Sequence, residues 1–172
     1  MNNVHLIEAP LEVEFDIDQD NSADFEREYN TLGECDDAIG QWLRAAKAKG
    51  ETNDSDPVML HLIIELYRKI DRLEQVISNS VPTYFPLRQK VLISRIGFEH
   101  FEISKPLLEL GQRYYGRIVL PLQNKKVVPL YFEAQSTTLA KIVRMHSTDE
   151  KEWSTYTMSR ERLKIRQLKG NV

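Results

Sequence analysis

The hydrophobic positions of this chain change period along its length, and the changes divide it. "LEVEFDI", residues 11 to 17, alternates: Leu11, Val13, Phe15 and Ile17 point one way, Glu12, Glu14 and Asp16 the other. That is the pattern of a half-buried strand. Residues 22 to 30 suit a short helix capped by Ser22. Asp36 to Lys49 reads as a fuller helix, with Ile39, Trp42, Leu43 and Ala46 on one face and Gly50 ending it. "GETNDSD", residues 50 to 56, is a polar linker of turn residues.

The strongest local signal follows in "DPVMLHLIIELYRKIDRLEQVISN". Asp56 is placed to cap a helix, and Pro57 suits its first position, where the missing N–H is not needed. Met59, Ile63, Leu66, Ile70, Leu73 and Ile77 recur with the 4-3 alternation of a heptad seam, Ile at a and Met or Leu at d. Leu60, Leu62, Tyr67 and Val76 add apolar groups at e and g. A two-stranded coil leaves those wet, so either a higher-order bundle forms or the flank packs on its own domain.

After Asn79 the period becomes 2. "RQKVLISR", "GFEHFEI", "GQRYYGRIVLP", "KVVPLYFEA", "TTLAKIVRMH" and "KEWSTYTM" read as six strands, broken at Gly97, Pro106 to Gly111, "QNKK", "QST" and "STDE". Strands this short and regularly spaced predict a sandwich or barrel. Ser159 is expected to cap a last helix, "RERLKIRQL", with Leu163, Ile165 and Leu168 apolar. The expected fold class is α+β: a helical N-terminal extension over residues 1–56, a heptad oligomerisation helix over 57–79, and a six-stranded antiparallel β-barrel with a C-terminal helix over 80–172.

Composition narrows the function. One cysteine, Cys35, excludes an intrachain disulfide and fits a reducing compartment. Cys35 is expected to be an inert thiol, since no cysteine-protease arrangement accompanies it. The start of the chain lacks the basic residues and apolar run of a signal peptide, and no run spans a membrane. A soluble, cytoplasmic protein is the expectation. The net charge of −3 gives no general attraction to nucleic acid or anionic lipid. The charge is uneven, however: acidic from Glu8 to Asp37, basic from Arg160 to Lys169. These are either two solvated faces or two partners that meet, within or between chains.

One stretch carries a resemblance. "ISRIGFEHF", "PLLELGQRYYGRIVLP", "LAKIVRMH" and "SRERLKIRQL" together make residues 88 to 168 resemble a PilZ domain. The resemblance implies a six-stranded barrel closed by a helix. It also implies a place in bacterial cyclic di-GMP signalling, linked to motility, type IV pili or biofilm. The family's ligand site combines an Arg-x-x-x-Arg segment with an Asp/Asn-x-Ser-x-x-Gly turn. Arginine forks grip phosphate and guanine acceptors, and the carboxylate or amide pairs with guanine donors. Here Ser94 and Gly97 match the turn, but Leu92 stands at the acidic or amide position and accepts no hydrogen bond. "RKIDR" supplies Arg68 and Arg72, yet at f and c positions of the heptad helix, where charged pairs arise without a ligand.

Other chemistry is sparse. His5, His61, His100 and His146 lack metal-ligand spacing. "RYYGR", Arg113 to Arg117, mixes aromatic and basic residues, but an alternating strand divides them between two faces, so no nucleic acid is expected. The sequence therefore reads as a non-enzymatic PilZ-like adaptor without cofactor or metal. It is expected to form a homo-oligomer through Met59, Ile63, Leu66, Ile70, Leu73 and Ile77, a tetramer over a dimer. It would bind a protein partner such as pilus or motility machinery, without membrane insertion. The alternative is a cyclic di-GMP receptor using Arg68, Arg72, Ser94 and Gly97, with Arg88 and Arg95 beside the turn.

Overall fold

The alternation seen at residues 11 to 17 extends over β1 (Ile7–Ile17), which buries Ile7, Ala9, Leu11, Val13 and Phe15. In this computed structural model, which describes residues 4–33, 38–78, 83–121 and 126–170, β1 is a full member of the barrel. Cys35 lies outside the described residues, as do Asp36 and Asp37. The chain forms two compact units, one of residues 1–33 and 85–172, the other of residues 34–84.

In the first unit β1 is followed by α1 (Ser22–Gly33), then by β2 (Gln89–Ile96), β3 (His100–Ile103), β4 (Arg113–Leu120), β5 (Lys126–Ala134) and β6 (Leu139–Met145). The order around the closed barrel is β1-β2-β3-β6-β5-β4, and every pairing is antiparallel. β1 lies between β2 and β4, with Val13 opposite both Val91 and Ile118. Its ladder with β2 is irregular between Glu8 and Leu11, where Pro10 has no N–H to donate.

Two expectations are corrected here. The barrel is not confined to residues 80–172: its closing strand comes from the segment assigned to the extension. "KEWSTYTM" is not a strand but part of α4, the helix Ser147–Gly170, so Ser159 lies inside a helix rather than capping one. The second error has a local cause. Trp, Tyr and Thr favour strands, and a run of only eight residues fits either period. In the fold, Asp149, Trp153, Tyr156 and Thr157 are the buried positions, which is helical spacing against the barrel.

Inside the barrel, Phe15 and Phe101 meet Phe132 edge-on, and Tyr114 stacks on it. Gly116 makes that packing possible. A Cβ there would stand 2.8 Å from the Glu14 carbonyl oxygen and 3.1 Å from the Phe132 ring. A second, smaller core lies outside the barrel, where Phe25 and Tyr29 of α1 cover Tyr115 and Tyr131, with Phe85 and Leu87 at its edge. β4 is thus buried on both faces. This explains "RYYGR": Tyr114 fills the barrel, Tyr115 stacks on Phe25 at 4.9 Å, and neither ring is open to a base.

In the second unit, α2 (Ala38–Ala48) and α3 (Pro57–Ile77) contact one another around a turn in which Gly50 takes φ +75. Asp56 caps α3 as expected, accepting from the Val58 and Met59 amides at 2.9 and 3.5 Å.

Candidate functional site

The Ser94–Gly97 corner joins β2 to β3, and its polar groups are answered from within the chain. The Ser94 hydroxyl donates to the Glu102 carbonyl oxygen at 3.1 Å and lies 3.4 Å from its carboxylate. Arg95 Nε donates to that carboxylate at 2.6 Å. The hydrogen bond from Arg95 holds the Glu102 carboxyl below the usual carboxylate range, and Glu102 in turn raises the guanidinium. Leu92 stands 61% exposed on β2, opposite Glu12. Arg88 faces Asp16 at 3.5 Å on the neighbouring strand. The corner opens on a shallow concavity lined by Glu8, Ser94, Arg95, Glu102 and Arg160.

Gly97 has a structural reason to be glycine. Its φ is not positive, so backbone conformation does not demand it. A Cβ there would meet the His5 carbonyl oxygen at 2.8 Å, where the chain enters β1. From the other side, the buried Trp153 indole donates to the Gly97 and Phe98 carbonyl oxygens at 3.0 and 3.2 Å. The turn is therefore pinned between the start of β1 and α4. Arg68 and Arg72 belong to α3 in the helical unit, one turn apart, and Arg68 pairs with Glu65.

Two polar clusters escaped sequence reasoning. In the first, Arg117 is only 7% exposed; it donates to Glu28 at 2.6 Å, to Glu14 at 2.9 Å and to the Phe85 carbonyl oxygen at 2.8 Å. Tyr115 donates to Glu28 at 2.8 Å, and the Phe85 amide also donates to Glu28. Burial opposes the charge on Arg117, but its bonds to Glu28 and Glu14 outweigh burial and raise its pKa; burial, reinforced by Glu28, pushes the Tyr115 phenol far up. In the second cluster, Arg144 grips Glu26 with both terminal nitrogens, at 2.7 and 2.9 Å, and lies over the Tyr29 ring. His146 stacks on the Tyr29 ring at 3.9 Å and bonds the Tyr29 carbonyl oxygen. Both clusters tie α1 to the barrel. No local signal marks them, because their bonded partners lie 32 to 118 residues apart.

Among the described residues, no ion pair joins the acidic front to the basic tail. Glu12, Asp16 and Asp18 pair with Lys90, Arg88 and Arg113 of adjoining strands. On α3, the buried Ile64 occupies a b position, while Met59, Ile63, Leu66, Ile70, Leu73 and Ile77 are 55–81% exposed. Leu62, Tyr67 and Val76 beside them are exposed as well.

A solved structure of a pathogenic protein from Xanthomonas campestris, a tetrameric PilZ domain self-assembled via a helical bundle, aligns with 98% of this chain and 92% of its own. The identity is 14% and the TM-score 0.42. A likeness that distant transfers no property to this chain. No family model and no curated protein matches it. What the geometry itself defines is a closed six-stranded antiparallel barrel with a C-terminal helix, carrying a pinned corner and, in a separate unit, an uncovered apolar helix.

Proposed function

We propose that this protein is a non-enzymatic PilZ-like adaptor that self-associates through α3 and does not bind cyclic di-GMP tightly. The observation that carries this reading is the exposed seam. A soluble chain rarely leaves so long an apolar stripe in water without a partner. Heptad spacing fits a second copy of the same helix, and the exposed e and g groups favour four helices over two. The barrel and its closing helix agree with the PilZ resemblance, from which a role in bacterial signalling to motility, type IV pili or biofilm follows. Several barrels on one bundle gain avidity for a protein partner.

The Ser94–Gly97 corner supports the absence of tight ligand binding. Glu102 already takes the hydroxyl and the guanidinium that a phosphate would need, and Leu92 offers guanine donors nothing. Each orphaned donor costs about 1–3 kcal/mol. Light scattering at tens of micromolar tests the assembly: a tetramer is expected, and a monomer refutes it. Calorimetric titration with cyclic di-GMP tests the corner. No binding tighter than about 100 μM is expected. Micromolar binding abolished by Arg68→Ala with Arg72→Ala would make the protein a receptor instead.

A further inference from the structure

We propose that the distal half of α4 is a docking surface for an anionic lipid bilayer. The inference rests on α4 alone and is independent of self-association through α3. α4 packs on the barrel through Asp149, Trp153, Tyr156 and Thr157 of its first half, and Arg160 donates to the Glu8 carbonyl oxygen of β1 at 3.2 Å. The helix then continues for several turns, and every residue from Arg162 to Gly170 is exposed. Helical geometry, roughly 100° per residue, sorts what this stretch displays. Met158, Ile165 and Leu168 form an exposed apolar strip along one flank of the helix, with Leu168 nearest the barrel-facing side. Arg162, Arg166 and Lys169 form a basic stripe immediately beside it.

These cations have no other work. Among the described residues none of the three is ion-paired, while Glu12, Asp16 and Asp18 are paired with Lys90, Arg88 and Arg113. Glu161, the acid on this side of the helix, lies 3.2 Å from His5. An aliphatic strip flanked by long cationic side chains matches the boundary between acyl chains and charged headgroups. The apolar groups enter while the flexible stems carry their charge up to the phosphates. Nucleic acid would use the cations and leave the aliphatic strip wet. The net charge of −3 opposes general attraction to an anionic surface, so the basic stripe of α4 has to face the bilayer.

The test is cosedimentation of the full chain with vesicles of phosphatidylcholine containing about 30 mol % phosphatidylglycerol, against pure phosphatidylcholine. Binding is expected only to the anionic vesicles, falling steeply between about 50 and 500 mM salt. Arg162→Gln with Arg166→Gln and Lys169→Gln should weaken partitioning about a hundredfold, each cation contributing roughly fivefold. Ile165→Gln with Leu168→Gln should weaken it as well, with unchanged far-ultraviolet circular dichroism in both variants. The proposal is overturned if wild type ignores anionic vesicles at low salt, or if the charge variant binds like wild type. It is equally overturned if the chain binds a DNA duplex more tightly than vesicles and the aliphatic variant keeps that affinity.

Discussion

Removing the guanidinium of Arg117 separates a buried ion pair from a decorative one. Arg117→Met keeps the stem that fills the space between α1 and β4. It leaves Glu28, whose side chain is 9% exposed, with no cation and only the Tyr115 hydroxyl and the Phe85 amide as donors. Breaking a buried pair from one side costs about 3–5 kcal/mol, a large part of the roughly 5–15 kcal/mol that holds a domain together. Glu28→Gln is milder, because Arg117 keeps Glu14 and one carbonyl oxygen still accepts. Its expected cost is about 1.5–3 kcal/mol, the worth of a hydrogen bond to a charged group. The double change Arg117→Met with Glu28→Leu replaces both partners by apolar groups, so it should be more stable than Arg117→Met alone. The assay is urea unfolding followed by Trp153 fluorescence in a Trp42→Phe background, Trp42 being the other of two tryptophans. An Arg117→Met variant within about 1 kcal/mol of wild type would refute the reasoning, since that is the range of solvated surface pairs. So would a double variant no more stable than Arg117→Met alone.

Residues 80–172 alone should fail to form a barrel, because they lack β1 and leave β2 and β4 as open edges; native-like far-ultraviolet circular dichroism from that fragment would count against this. Leu66→Asp or Ile70→Asp should dissociate the proposed assembly in light scattering while the barrel stays folded, since a carboxylate buried in an apolar seam costs several kcal/mol. For Glu102, held below the ordinary carboxylate pKa by Arg95, the stabilisation is complete above about pH 4.3 and is lost as pH falls through the lower folded value. Wild type should therefore exceed Glu102→Gln by at most about 1 kcal/mol near pH 7, both groups being partly solvated, and denaturant melts should show the gap closing toward pH 3. A gap that widens on acidification would contradict the pairing.

Local periodicity was enough to read β1 from Leu11 to Ile17, the helix α3 with its Asp56 cap, and the alternating runs that became β2 to β6. That Leu92 accepts no hydrogen bond was legible as well, because it depends on one side chain's chemistry. Closure of the barrel was not legible. β1 pairs with β2 and β4, which follow it by some 70 to 110 residues, and a run of alternating residues does not state its neighbours. Nor was the fate of "KEWSTYTM". Its residues suit both periods, and the choice falls to helix because Trp153 then closes against the barrel with its indole N–H on the Gly97 and Phe98 carbonyl oxygens. The same holds for Glu102 at the corner and for Arg117 with Glu28 beneath α1. A charged residue in a strand reads as solvent-facing until another element covers that face, and only the tertiary fold brings the cover and the counter-charge together.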